Sequence, residues 1–339
     1  MAASIYDIAK EVGVSAVTVS NVLNNKGRFS QKTKELVLKA AQRQGYVPNL
    51  TAKGLRESHS KTVGIVTPDV SNDYFATIVL DIERAMYAKG YASYICDTSN
   101  TPAICNEYLQ NLKQRGIDGV FMVGGAGGED FTPIHDTPCV LIDYTGKQRP
   151  ERYFCAGNDF PSMMRDQVDH LVGTGCRQIA LITVETAEDI EDARTALAPF
   201  RKRLQELGVD HDLELEFYLD RKSGGRSSAR EKVADELAAG KTFDGIAAIG
   251  DRLALGALEA ARSVGMGIGT DVKIIGLDDS LYSQLSYPAI STINRNTDQM
   301  AHRGIKAMLA MLSGDDPAER EIAIPHRLVI RASTVPERP

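Results

Sequence analysis

The sequence predicts a small all-α head, a short helical segment behind it, and a large α/β body of two lobes. Three observations carry this reading. The first 25 residues hold two short capped helices around Gly13. From Lys61 onward the pattern changes to brief apolar runs alternating with helical stretches. Charge divides with the pattern: residues 1–61 hold ten Lys or Arg and four Asp or Glu, so +6. The remainder holds 39 − 10 = 29 against 45 − 4 = 41, so −12. A basic head on an acidic body directs a polyanion to the head and repels it from the rest.

Taken in order, Ser4 opens the first helix, and Asp7 three residues on completes a capping box and suits the positive helix end. Gly13 stands where the chain must turn, in a left-handed conformation that suits glycine. Ser15 caps the second helix, whose Val19, Val22 and Leu23 share a face that closes on Ile5, Ile8 and Ala9. Ala16, Val17, Thr18, Ser20, Asn21 and Asn24 are left outside. An ordinary helical hairpin has similar spacing, but a short second helix with so small and polar a surface is what a helix-turn-helix module presents to a major groove. Ser30 and Thr33 begin a third helix through Leu36, Val37, Ala40 and Ala41, ending at Gly45. Residues 48–57, PNLTAKGLRE, are helix-capable but too few to be stable alone, since isolated helices under about 12 residues are marginal in water.

The body follows. TVGIVTPD, ASYICDT, GVFMVGG, CVLIDY, QIALITV, GIAAIGD and VKIIGLDD are nearly continuous apolar runs, as buried parallel strands should be. Helical stretches lie at 75–89, 103–115, 161–174, 191–207, 226–239, 252–265 and 296–312. Such alternation means doubly wound α/β units, and the strand count suits two similar subdomains. Ligands of such sheets bind beyond the carboxyl ends of the strands, in the cleft between lobes.

Composition excludes several classes. No apolar run reaches the ~18–20 residues that span a membrane. MAASIYDIAKE is no secretory signal, so the expected compartment is the cytoplasm. Cys96, Cys105, Cys139, Cys155 and Cys176 are odd in number and lack a C-x-x-C pair, which fits reduced thiols. Enzymatic signals are weak. GGAGG at 124–128 lacks dinucleotide spacing and a Walker lysine, GMGIGTD at 265–271 precedes a strand, and no H-E-x-x-H, Cys/His metal group or G-x-S-x-G occurs. No catalytic residue, metal ligand or cofactor is assigned.

TVSNVLN (18–24), GYVPNLTAKGLR (45–56) and KTVGIVTPDVSNDYF (61–75), followed by GIDGVFMV, ALGALEAA, VKIIGLDDS and PAISTINRN, resemble the LacI-type (lactose repressor family) bacterial transcription regulators over essentially the whole chain. The resemblance implies a helix-turn-helix domain (1–47), a hinge helix and linker (48–60), and a periplasmic-binding-protein-like effector-binding and dimerisation domain (61–339). One lobe would take about 61–160 and 292–324, the other about 161–291 and 325–339, with crossings near 159–162, 289–292 and 323–326. It also implies a homodimer, a repressor in most relatives, on a pseudo-palindromic double-stranded operator in the bacterial nucleoid. The tail carries no leucine heptad, which favours a dimer over a coiled-coil tetramer.

By resemblance Tyr6, Ala16, Val17 and Asn21 face bases, and Leu55, beside Ala52 and Asn49, enters the minor groove as an apolar wedge. Ser15 caps the reading helix, and Thr18, Ser20, Asn24, Ser30 and Thr33 suit phosphate oxygens. Many relatives carry arginine where Asn21 stands, so a different operator is expected. In the cleft, Tyr74, Phe75, Ser162 and Asp278 match effector positions, while Asp251 matches a mainly structural acid. Two polar anchors of relatives are absent: Ala196 fills an arginine slot, with Pro199 replacing a glycine, and Gly250 replaces an asparagine. The expectation is an atypical effector, a partner protein, or no small ligand. The competing class is an intracellular solute-binding or enzymatic α/β protein with an accessory helical domain.

Overall fold

The computed structural model describes residues 4–46, 59–125, 128–185, 197–220 and 224–335. The chain divides into two units, Met1–Ser60 and Lys61–Pro339.

In the first unit, helices α1 (Ile5–Val12), α2 (Ala16–Leu23) and α3 (Gln31–Arg43) each begin at a serine that accepts a backbone N–H from the third residue on. Ser4 and Asp7 form the reciprocal box, with the Ser4 N–H donating to Asp7 Oδ2 at 2.9 Å. Gly13 adopts φ +74°, the left-handed turn that separates α1 from α2. Ile8, Ala9, Val19, Val22, Val37, Ala40 and Ala41 make the core, with Ile5, Leu23 and Ala16 packed at its edge. Leu36, read as part of the apolar run of α3, is 47% exposed. One residue before the buried Val37, it points away from α1 and α2.

In the second unit, one lobe contains β1 (Thr62–Thr67), α4 (Asp73–Ala88), β2 (Ala92–Asp97), α5 (Pro102–Gln114), β3 (Gly119–Val123), β4 (Cys139–Ile142) and β5 (Tyr153–Gly157). The chain then forms α6 (Phe160–Gly173), β6 (Ile179–Glu185), α7 (Ala198–Glu206), β7 (Glu216–Asp220), α8 (Arg226–Ala238), β8 (Gly245–Ala248), α9 (Asp251–Ser263), β9 (Lys273–Ile275), α10 (Leu281–Leu285) and β10 (Thr292–Asn294). It returns to the first lobe for α11 (Thr297–Leu312) and β11 (Glu321–Ala323), and ends in the second with β12 (Arg327–Val329).

The first lobe's sheet runs β11-β5-β4-β3-β1-β2 and the second lobe's runs β7-β6-β8-β9, with every pairing in both parallel. Strand β1 feeds both faces of its sheet. Val63 and Ile65 pack with α4 and α11, while Val66 packs with Leu109 and Leu112 of α5. Helices press close enough that a Cβ on Gly64 would lie 2.6 Å from Leu112 Cδ1.

The second crossing between lobes, expected at 289–292, falls instead at Arg295–Asn296. β10 pairs antiparallel with β12, and Ser291 and Asn294 bridge to Ile275 and Asp278, so residues 292–294 extend the second lobe rather than the first. The helix expected over 191–207 is described from Ala198, where Pro199 sits in its first turn, a place that needs no N–H. No described helix is long and apolar enough to cross a membrane.

Candidate nucleic-acid interface and inter-lobe cleft

On α2, Val17, Ser20, Asn21 and Asn24 recur at i, i+3, i+4 and i+7, which places them on one face. Val19 and Val22 anchor the opposite face in the core. Val17 is 68% exposed and Tyr6, on α1, 72%. Asn21 and Asn24 are exposed, and Ala16, Thr18, Ser20 and Thr33 are half-buried. The helix start is rigidly capped: Ser15 Oγ accepts from the Thr18 N–H at 3.0 Å and lies 2.9 Å from Thr18 Oγ1. Ser30 does the same for Thr33, at 3.0 and 2.8 Å. Asn24 donates to the Ser20 carbonyl at 2.8 Å, so its amide closes the helix end. Asn21 keeps its side chain beside Gly27, whose φ of +85° turns the following loop. The result is a polar, largely uncharged reading surface, with cations, Lys26 and Arg28, exposed on the loop that follows α2. Asn49, Ala52 and Leu55 lie outside the described residues.

The cleft of the second unit holds about 580 Å³. Asp69, Ser71, Asp97, Ser99, Asn100 and Thr101 line it from the first lobe, and Gly225, Arg226, Ser227, Arg252 and Tyr282 from the second. Its acids are engaged by the chain itself. Asp69 accepts from the Ser71 N–H (2.8 Å) and pairs with Arg252 across the cleft at 3.3 Å. Asp97 accepts from the Val70 and Ser99 N–H groups at 2.8 and 2.7 Å. Arg226 pairs with Glu259 at 3.1 Å. A smaller inner chamber of about 70 Å³ touches Asn72, Asp73, Gly250, Arg252 and Asp278.

Of the expected effector positions, Asp278 lines that inner chamber. Tyr74 is 4% exposed, its hydroxyl donating to Asp143 Oδ2 at 3.0 Å, and Phe75 packs on it edge-to-face at 5.2 Å. Ser162 lies in the first turn of α6, where its N–H donates to the Asp159 cap at 3.4 Å. Asp251 is 1% exposed and accepts from Thr292 Oγ1 (2.6 Å) and the Ser280 N–H (2.7 Å). Burial pushes its carboxyl up to about 6. The departure at Gly250 has a backbone reason: φ is +134°, which L side chains rarely adopt.

Sequence reasoning missed the residue at the centre. Arg295, 8% exposed, reaches Asp143 with Nη2, Asp278 Oδ1 with Nη1 at 3.3 Å, and Asn158 Oδ1 with Nε at 3.0 Å. Its guanidinium lies 4.4 Å from the Tyr74 ring centroid. Burial opposes its charge, but Asp143, Tyr74 and Asp278 outweigh that and hold the proton more firmly than in a free arginine. Burial also raises the carboxyl of Asp278 well above the usual range, against the opposing pull of the Arg295 charge. The signal was faint: Asp143 next to last in CVLIDY, Asp278 next to last in VKIIGLDD, and one arginine after a short strand.

A reading helix capped by Ser15 in a head of three serine-capped helices, carried by a chain whose two-lobed body encloses a cleft, is the build of a DNA-binding transcription regulator. Residues 4–49 match the family described as bacterial regulatory proteins, lacI family, and residues 168–334 match a periplasmic binding protein-like domain. The HTH-type transcriptional regulator RegA of Clostridium saccharobutylicum is 30% identical over 338 residues, covering 99% of this chain and 100% of that one. Catabolite control protein A of Staphylococcus xylosus is 26% identical over 336 residues, covering 98% and 100%. A crystal structure of the lac repressor dimer bound to operator and the anti-inducer ONPF superposes with TM-score 0.83 at 23% identity, covering 99% and 100%, and shows the shared fold. The chain belongs to the LacI family of bacterial transcription regulators. It is a regulator rather than an enzyme, which removes the competing solute-binding or enzymatic reading.

Proposed function

We propose that the chain represses transcription as a cytoplasmic homodimer, its two heads set on half-sites of a pseudo-palindromic operator and its hinge segments in the central minor groove. The exposed face of α2, with Val17, Asn21 and Asn24 presented by a capped helix, carries this reading. Val17 supplies an apolar contact suited to a thymine methyl, and Asn21 a bidentate partner for adenine. Tyr6 and Ala16 complete the base-facing set. Ser15, Thr18, Ser20, Asn24, Ser30 and Thr33 sit where backbone phosphates would run, and Asn49, Ala52 and Leu55 belong to the minor-groove segment. Two apolar patches support pairing through the body. Leu80, Tyr87, Tyr94 and Ile95 are exposed on α4 and the edge strand β2, and Leu281, Leu285 and Tyr287 on and just after α10. Effector control acts through the cleft, with Tyr74, Phe75, Ser162 and Asp278 as the matched positions, and with an atypical ligand or a partner protein as the agent. Lobe motion shifts the population of head arrangements that fit the operator.

The test is selection of bound duplexes from random pools. A good bidentate contact discriminates by about 1–3 kcal/mol, so Asn21→Ala should relax preference at one base step of each half-site. Uniform weakening on every duplex would remove Asn21 from the reading set. Wild-type affinity should fall steeply with salt, as expected of a head that displaces counterions.

A further inference from the structure

We propose that Arg295 is the body's built-in substitute for a bridging ligand, its guanidinium filling the seam between the lobes and holding one lobe arrangement with no small molecule bound. The inference rests on the proposal that lobe arrangement controls the heads. Asp143 directly follows β4 of the first lobe, and Asp278 follows β9 of the second. Both stand at carboxyl ends of parallel strands, where a cleft ligand would be gripped. Arg295 belongs to the crossing between lobes and takes both acids, the Nη1–Asp278 distance being 3.3 Å. Asn158 fastens the same point: it accepts from Arg295 Nε at 3.0 Å and donates to the carbonyls of Arg295 (3.1 Å) and Ile324 (2.9 Å). One guanidinium and one amide thereby join all three crossings.

The electrostatics restrict what can displace this arginine. Removing one partner of a buried pair leaves an uncompensated charge, which is far costlier than the net worth of the pair. A neutral polyol entering the seam cannot offset that loss. A ligand that competes for Asp143 and Asp278 must bring its own cation, a guanidinium or an ammonium group. Free sugars therefore leave this seam unchanged.

The experiment is chemical rescue in the full chain. Arg295→Ala opens a guanidinium-shaped space lined by Asp143, Asp278 and Asn158. Millimolar N-ethylguanidinium should raise its melting temperature by several degrees, N-ethylurea of the same shape should not, and the wild type should respond to neither. Freeing the lobes divides the population among arrangements, so operator affinity of the variant should fall about five- to tenfold. N-ethylguanidinium should restore it. A folded variant with wild-type operator affinity, or equal rescue by the neutral urea, overturns the proposal. Should the alanine variant not fold, Arg295→Lys keeps a cation beside Asp143 without the fork that spans both acids. Faster amide exchange around Asn158 and Ile324, with weaker operator binding, is then expected; unchanged exchange and affinity overturn it. These exchange and melting measurements need no DNA. A wild type that ignores every selected duplex would instead defeat the regulator assignment while leaving the seam measurable.

Discussion

Glu216 of β7 gives the sharpest quantitative prediction. Its carboxylate is buried yet accepts from Arg201 Nε and Nη2 at 2.6 Å each and from Tyr218 Oη at 2.6 Å, and it lies 2.8 Å from His211 Nε2. Burial alone would raise its pKa, but the hydrogen bonds from Arg201, His211 and Tyr218 prevail and hold it down at about 2, against 4.5 unperturbed. A depressed folded pKa means that the stabilisation is complete above the unfolded value and is lost as pH falls from about 4.5 toward 2. The shift corresponds to roughly 3 kcal/mol at neutral pH, at about 1.4 kcal/mol per unit. Glu216→Gln keeps the shape and removes the titration. Urea unfolding followed by circular dichroism, since the chain has no tryptophan, should show the variant less stable by about that amount at pH 6. The gap should close as both proteins are taken to pH 2. Other acids titrate equally in the two proteins and cancel in the difference. A gap that stays constant from pH 6 to pH 2 would mean that charge at Glu216 is not what holds β7 to α7.

Two further outcomes concern the head and the pairing of subunits. Ser15→Ala removes the cap of an eight-residue helix, a change worth about 1 kcal/mol, so α2 amides should exchange roughly fivefold faster while α3 amides do not; equal change in both would mean that the cap is not local. Leu285→Asp combined with Tyr287→Asp places charge on side chains 79% and 82% exposed in the single chain. If these side chains are buried between subunits, sedimentation should show dimer affinity lowered by at least about 100-fold, since two large side chains at about 1.5–3 kcal/mol each sum to about 3–6 kcal/mol. An unchanged dimer would locate the pairing surface elsewhere.

The head was legible because its information is local. Ser4, Ser15 and Ser30 each stand three residues before the N–H they cap, and Gly13 marks the turn, so neighbouring letters suffice. Six of the seven apolar runs of the body were legible because a strand covered on both faces needs apolar residues throughout, whereas the edge strand β2 showed itself by apolar content alone, with Tyr94 and Ile95 exposed. β5 escaped because its residues alternate between buried and half-buried, and β7 because an edge strand carries acids at both ends. The three-residue strands β10, β11 and β12 are too short to show a period. The second crossing was displaced for the same reason: only the bridges from Ser291 and Asn294 to the second lobe assign β10 to it.

The Arg295 cluster was hidden for a different reason, and that reason bears on how the molecule works. Its partners lie 137, 152 and 17 residues away in the chain, at Asn158, Asp143 and Asp278. No pattern in a window of sequence joins a lone arginine to acids that distant. The resemblance to relatives drew attention to Asp278 as a hydrogen-bond acceptor for an effector, which treats the carboxylate as available. In the folded body the acids of the strand ends are occupied: Asp69 by Arg252, Asp279 by Arg331 and Asn294, Asp251 by Thr292 and Ser280, and Asp278 by Arg295. An effector entering the cleft must therefore exchange one satisfied set of charges for another. That exchange gains free energy only when the newcomer matches the displaced group in sign and geometry. The anchors absent at 196 and 250 and the guanidinium at 295 both support the proposal that a cationic group, rather than neutral hydroxyls, is what competes for this seam.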